Sequence, residues 1–249
     1  MVSYFRVENL RKTFGGIVAV NNVSFEVKKG SLVGIIGPNG CGKTTLVNLI
    51  TGFLKPNSGR IYFKDKDITG MRASKIANKG IGRTFQMVKP FYRLPAFKNI
   101  IIPLFSPKVK ELGEHYGDKE SVALNILEDI GFERDSSVPF KPASVLPHGY
   151  LKRLEIARII ALQSELLIFD ELYSGLSLAE VASISPIIER FVEDGKTVIM
   201  IEHRLKELFR IADKVIVMDQ GEIIAEGSPR VIMKNEKVKK AYLGVELKR

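Results

Sequence analysis

Apolar and polar residues alternate from residue 4 to 29. Phe5, Val7 and Leu10, then Val18 and Val20, then Val23, Phe25 and Val27 recur at strand spacing. Phe14-Gly15-Gly16 reads as a turn among them, so antiparallel strands are expected at the start of the chain. The pattern changes at Leu32, Val33, Ile35 and Ile36, an apolar run of the kind found in parallel strands buried on both faces. A helix from about Lys43 to Thr51 follows, then a turn at Pro56-Asn57-Ser58-Gly59, a strand over Arg60 to Phe63 and a second turn over Asp65 to Asp67. Ile81 to Gln86 reads as another short buried strand.

Residues 87 to 125 lose this regularity. Pro90, Pro95 and Pro103 interrupt the first part, and 108 to 120 is charged and weakly periodic. Ser121 to Ile130 is expected to be helical, with a stripe of Val122, Leu124, Ile126, Leu127 and Ile130 ended by Gly131. Leu151 to Leu162 is a stronger helix. It sets Leu151, Leu154, Ala157 and Ala161 on one face and Lys152, Arg153, Glu155 and Arg158 largely elsewhere. Two buried strands, Leu166 to Phe169 and Thr197 to Ile201, flank a helix near 179 to 193. Lys214 to Met218 and Glu222 to Ala225 enclose Asp219-Gln220-Gly221 as a hairpin. No repeat or low-complexity linker intervenes, so the reading is one α/β domain with a helical insertion.

Composition adds limits. A chain of 249 residues, 45% hydrophobic, is of a size for one large α/β domain or two small ones, and its mean hydropathy is near zero. No apolar run approaches the roughly 20 residues that span a bilayer, and M-V-S-Y-F-R lacks the pattern of a secretory signal. The single Cys excludes an internal disulfide and fits a reducing compartment. The net charge of +10 includes a cluster of Lys234, Lys237, Lys239, Lys240, Lys248 and Arg249, interrupted by Glu236 and Glu246. It lacks the aromatic spacing of base stacking and reads as a solvated face, with a membrane surface as the sharper alternative; no nucleic acid partner is expected.

Chemistry concentrates at two strand ends. Gly37-Pro38-Asn39-Gly40-Cys41-Gly42-Lys43-Thr44, followed by Thr45, is G-x-x-x-x-G-K-[ST] between a strand and a helix. Its N–H groups and the helix dipole suit phosphates, Lys43 suits the β- and γ-phosphates of ATP, and the Thr44 hydroxyl suits Mg²⁺. Cys41 reads as a small-residue substitute, although Lys43 and the helix N-terminus favour a thiolate there. Leu166 to Glu171 is an apolar strand ending in two acids. Asp170 is placed for Mg²⁺ and Glu171 to polarise attacking water.

With these motifs in order, the chain resembles the ATP-binding subunits of ABC transporters over nearly all its length. The resemblance implies a P-loop NTPase with a RecA-like α/β core, an antiparallel β subdomain and a helical insertion. Residues 1–86 and 160–235 would form the β subdomain and nucleotide core, 87–159 the helical subdomain and 236–249 a basic tail. It further implies that Phe14 stacks on adenine with Val20 beside the ring. Gln86 would act as the Mg²⁺-sensing glutamine facing the membrane subunit, and His203 would contact the γ-phosphate. Val88 to Phe97, with Phe91, Tyr92, Arg93 and Phe97, is the candidate docking stretch, with an insertion packed on its own helices as the equal alternative.

Two positions depart from the family pattern. Its L-S-G-G-Q signature, which caps ATP held by a second subunit, here reads Leu146-Pro147-His148-Gly149-Tyr150. Pro147 offers neither hydroxyl nor N–H, removing two charge-assisted donors worth about 1.5–3 kcal/mol each. Ser177 stands where the family carries an aspartate. The composite site using this signature is therefore expected to be weak. A heterodimer with a second, intact ATPase is favoured over a homodimer.

K-T-F-G-G-I-V-A-V-N-N-V-S-F, I-G-R-T-F-Q, L-E-I-A-R and the closing A-Y-L-G are similar to uptake ATPases for branched-chain amino acids and urea or amides. That likeness implies a chain bound peripherally at the cytoplasmic face of the cell membrane to integral permease subunits and, indirectly, a solute-binding protein. Two alternatives stay open: an ATP-holding regulatory module, and lipopolysaccharide-type export, whose ATPases share A-Y-L-G. Repair and translation ATPases do not fit the length, and a small P-loop kinase would leave Gln86, the L-E-I-A-R helix and His203 without a role.

Overall fold

A computed structural model describes residues 4–112, 118–133 and 135–246, with only the main chain for 242–246. Lys248, Arg249, the side chain of Glu246 and part of the charged 108–120 stretch lie outside the described residues. In chain order the elements are β1 (Phe5–Phe14), β2 (Ile17–Val27), β3 (Leu32–Ile36), α1 (Lys43–Ile50), β4 (Ser58–Phe63), β5 (Lys66–Asp67) and α2 (Ala73–Asn78). Then come β6 (Ile81–Arg83), α3 (Ala96–Ile101), α4 (Pro107–Glu111), α5 (Lys119–Asp129), α6 (His148–Ala161), β7 (Leu166–Asp170) and α7 (Leu178–Glu193). The chain ends with β8 (Thr197–Ile201), α8 (Leu205–Ile211), β9 (Lys214–Asp219), β10 (Glu222–Gly227), α9 (Pro229–Lys234) and α10 (Glu236–Glu246).

Contacts group the chain into two compact units, one holding residues up to Ile76 and from Val192, the other Ala77–Phe191. In the first unit, β1 pairs antiparallel with β2 and β4, forming the expected antiparallel β subdomain. Val7, Leu10, Val20, Val23, Phe25 and Val27 are buried between its polar outer positions. The same unit pairs β3 in parallel with β8 and β9, and β10 closes as an antiparallel hairpin on β9. Every residue of β3 and β8 is buried, which is why both read as unbroken apolar runs.

In the second unit β6 and β7 run parallel, and α3, α5 and α6 pack on one another. β6 is shorter than Ile81 to Gln86. It stops at Arg83 because the Thr84 hydroxyl accepts the Asp170 N–H at 3.3 Å and the chain then turns away. In α5 the buried stripe is Ala123, Leu127 and Ile130, so Val122, Leu124 and Ile126 are only half-buried. The three differ from the expected stripe because Ala123, small enough to approach a neighbour closely, sets the inward face.

Within the basic tail, residues 236–246 form helix α10. Lys237, Lys239 and Lys240 are solvated there, and Lys239 pairs with Glu236 at 2.8 Å. Within the expected docking stretch, Phe91 and Tyr92 are exposed, whereas Val88 and Phe97 are buried. Phe97 packs its ring on Phe140, 5.4 Å between centroids. No helix among the described residues is long and apolar enough to cross a membrane.

Candidate functional site

The first unit carries the phosphate loop. β3 ends at Ile36 and α1 begins at Lys43, its Leu46, Val47, Leu49 and Ile50 buried and so fixing where the helix starts. Burial of such side chains is worth about 1.5–3 kcal/mol each. Gly42 caps α1 at φ 106°, and a Cβ there would collide with the Ala19 carbonyl oxygen, so only glycine closes this turn. The Cys41 carbonyl accepts the Gly221 N–H at 2.9 Å, and the Gly221 carbonyl accepts the Asn21 N–H at 2.8 Å. The loop is thereby braced against both hairpins.

Lys43 is buried and lies along the loop, its Nζ donating to the carbonyls of Gly37 at 2.7 Å and Pro38 at 3.0 Å. Thr44 is exposed and Thr45 half-buried at the same helix start. A buried amine, a glycine turn that a Cβ would fill and a helix N-terminus fit a nucleotide's phosphates. Phe14 is 46% exposed at the end of β1, available to stack on a base. Val20 is fully buried in the sheet, so its side chain has no surface to set beside an adenine; Ile17 and Val18 are the exposed neighbours. His203 is exposed on the turn after β8.

Cys41 is buried, and burial pushes its thiol up against the opposing pull of Lys43. Alkylation at neutral pH is therefore expected to be slow even without nucleotide and fast once the chain is unfolded. Rapid labelling of the native chain would contradict this.

The second unit carries the acids. Asp170 ends β7, 2% exposed, its Oδ2 held by the Arg83 guanidinium at 2.7 Å. Glu171 follows at φ 51°, a left-handed conformation uncommon for a non-glycine residue and frequent at functional sites. Its Oε2 accepts from the Gln86 side-chain amide at 2.8 Å. Gln86 and Glu171, 85 residues apart in sequence, thus meet directly. Arg83 had no assigned role in the sequence; a cation closing an apolar strand is the signal that could have marked it.

The signature segment also differs from expectation. α6 begins at His148, with Pro147 as its cap and the Pro147 carbonyl accepting the Leu151 N–H at 3.1 Å. His148, Gly149 and Tyr150 thus form the first helical turn, not a loop before it; proline's fixed φ suits a helix start. The N–H groups of that turn precede the first intrahelical bond and point along the axis. Leu146 is buried, while Pro147 and His148 are exposed. The Tyr150 ring packs edge-on against Phe132 at 4.9 Å. His148 Nε2 lies 3.3 Å from the Ser174 carbonyl oxygen.

Lys152 and Glu155 are the larger correction. Both are buried, against the expectation that the charges of this helix lie off its packed face. Lys152 Nζ donates to the carbonyls of Gln86 at 3.2 Å and Glu171 at 3.4 Å. Glu155 accepts the N–H groups of Phe85 and Lys89, and burial pushes its carboxyl up.

Ser177 has a local role. Its hydroxyl accepts the Glu180 N–H at 3.2 Å while Glu180 Oε2 accepts the Ser177 N–H at 2.8 Å, a capping box at the start of α7. Ser177→Ala is expected to cost about 1 kcal/mol of stability in urea unfolding. A change under about 0.3 kcal/mol would show that this cap is inert, below the range for such caps.

The ABC transporter family model matches residues 20–174, and a branched-chain amino acid ATP-binding cassette transporter model matches 222–248. The chain is similar to the high-affinity branched-chain amino acid transport ATP-binding protein LivG of Salmonella typhimurium, 36% identical over 96% of each chain. It is also similar to BraF of Pseudomonas aeruginosa, 34% identical over 96% of each. Among solved structures it superposes on the ADP conformation of MJ1267, an ATP-binding cassette of an ABC transporter. The TM-score is 0.85 with 33% identity, covering 98% of this chain and 100% of that one. A dimeric post-hydrolysis cassette, MJ0796 bound to ADP and Pi, gives a TM-score of 0.78 with 25% identity, covering 91% of this chain and 99% of that one. Motif, fold and full-length similarity agree: the chain belongs to the ABC transporter family, as one of its ATP-binding, ATP-hydrolysing subunits.

Proposed function

We propose that this chain energises uptake of branched-chain amino acids or a related small polar solute, as one of two unlike ATPases on the cytoplasmic face of a membrane permease. The observation that carries the reading is likeness along the whole chain to branched-chain amino acid transport ATP-binding proteins, reinforced by the separate match at 222–248.

In this reading the first unit holds ATP. Lys43 and the N–H groups of Gly37 to Thr45 bind phosphates, Phe14 stacks on the base and His203 donates to the γ-phosphate. The second unit directs hydrolysis, with Glu171 accepting a proton from water and Gln86 orienting the Glu171 carboxylate through their 2.8 Å bond. Thr44, Gln86 and Asp170 are the groups that would hold Mg²⁺, which supplies charge neutralisation on the phosphates when bound. Arg83 holds Asp170 Oδ2 at 2.7 Å and so fixes where this carboxylate sits at the end of β7.

Partner choice follows from Pro147 and Ser177. The first turn of α6 keeps the N–H groups of His148, Gly149 and Tyr150 but gains no hydroxyl from Pro147, and Tyr150 is turned to Phe132. A second ATPase with a complete signature would serve the nucleotide on Lys43. Permease subunits and, through them, a solute-binding protein complete the assembly.

The test is reconstitution in vesicles with permeases and binding protein. Leucine-loaded binding protein is expected to raise ATP turnover at least ten-fold and to drive inward accumulation. Outward movement of lipid-linked cargo would favour export, and tight ATP binding without turnover a regulatory module. Either result overturns the proposal.

A further inference from the structure

Lys152, Glu155 and Arg158 stand three residues apart on α6, on one helical face, yet that face is turned to protein: Lys152 is 1% and Glu155 3% exposed. All three bond to main chain, and the charges of Lys152 and Arg158 also act on the Glu155 carboxylate between them. Glu155 Oε2 accepts the Phe85 N–H at 3.3 Å, and Oε1 accepts the Lys89 N–H at 3.2 Å. Arg158 donates to the Lys89 carbonyl at 2.9 Å. Lys152 Nζ reaches the carbonyls of Gln86 and of Glu171, the two residues whose side chains meet at 2.8 Å.

Packing alone does not call for this arrangement. Buried charges are costly, and apolar residues of similar volume would fill the same face at lower cost. The charges do something apolar residues cannot, which is to satisfy main-chain groups in a segment with neither helix nor strand, Thr84 to Leu94. Gln86 itself is exposed; its side-chain amide meets Glu171 at 2.8 Å, and its main chain is fixed on both sides.

We propose that Lys152 and Glu155 are positioning residues that clamp the main chain around Gln86 and at Glu171, so that this pair follows the helix whose first turn is the signature. The proposal rests on the ATPase reading for its purpose, but the clamp is testable without turnover. A shift of α6 would carry Phe85, Gln86, Lys89 and Glu171 with it through five side-chain-to-main-chain bonds. The water-directing pair would thereby be coupled to the state of the signature turn.

Hydrogen exchange in the nucleotide-free full chain decides it, with Glu155→Gln, the milder Glu155→Asp, and Leu154→Ala as a destabilised control on the same helix. In the Glu155 variants the amides of Phe85 and Lys89 are expected to exchange at least ten-fold faster, with α6 amides beyond residue 152 within two-fold of the parent. Unchanged exchange at Phe85 and Lys89, or equal acceleration throughout α6, would overturn the clamp. In an assembly that hydrolyses ATP, Lys152→Met is expected to lower kcat at least ten-fold with KM within two-fold, and Lys152→Arg to recover part of it. A similar kcat loss in Leu154→Ala at matched Tm would reduce Lys152 to a structural role and overturn the proposal. Absence of turnover in every form would contradict the ATPase reading, while the exchange result would still decide the clamp.

Discussion

Glu171→Gln is expected to stop ATP turnover while leaving nucleotide bound. The residue sits directly after β7 at φ 51°, its side chain meeting the Gln86 amide at 2.8 Å. Glutamine has the same shape and keeps an oxygen to accept from Gln86, so the local structure should survive. What it loses is the negative charge and the basicity that, in the proposed reaction, would draw a proton from attacking water, effects worth roughly 10²–10⁴ in rate. Steady-state hydrolysis alongside ATP affinity by calorimetry measures both halves. Turnover within about three-fold of the parent would remove Glu171 from the reaction, since general-base loss is larger than that.

Lys43→Ala should act on the opposite half, abolishing tight nucleotide binding. Lys43 is the buried cation of the phosphate loop, its Nζ already directed along the loop by the Gly37 and Pro38 carbonyls. Bonds from a charged donor contribute about 1.5–3 kcal/mol each. Two such bonds to the phosphates correspond to roughly 10²–10⁴ in affinity, at about 1.4 kcal/mol per decade. Calorimetric titration with ATP gives the number directly. A Kd within about five-fold of the parent would mean that main-chain N–H groups and the α1 dipole carry the phosphates without it.

The contrast between these residues and Lys152 explains what was legible in the sequence. Gly37 to Thr44 and Leu166 to Glu171 each hold their chemistry in a few contiguous residues, and each follows an apolar strand whose period announces it. Gln86 and His203 lack local signatures and became readable only through their order in a family pattern. Lys152 and Glu155 were unreadable because a charged residue on an amphipathic helix defaults to the solvent face. The groups that reverse the default are main-chain atoms 66 residues away. The helices α2, α3 and α8, of six, six and seven residues, are too short for a periodic stripe to show. Val20 is set beside the adenine by the family resemblance alone, whereas strand alternation puts it with the buried face of its sheet. The start of α6 was misjudged because His148-Gly149-Tyr150 was matched to a loop motif, whereas Pro147 favours a helix start.

The chain's two contributions to ATP chemistry are unequal. This chain's own phosphate loop, Asp170 and Glu171 are complete, while the signature turn that it would lend to a partner lacks a hydroxyl and one N–H at Pro147. Such a chain should bind ATP alone but need another for turnover.

Magnesium-dependent ATP hydrolysis by the purified chain over a wide range of protein concentration, with and without a second ATPase that carries an L-S-G-G-Q signature, tests this most directly. The expected result is tight ATP binding with turnover near background at every concentration, rising at least ten-fold when the companion is added. Specific activity that climbs with concentration to full turnover in the chain alone would contradict it, showing that Leu146 to Tyr150 serves a homodimer.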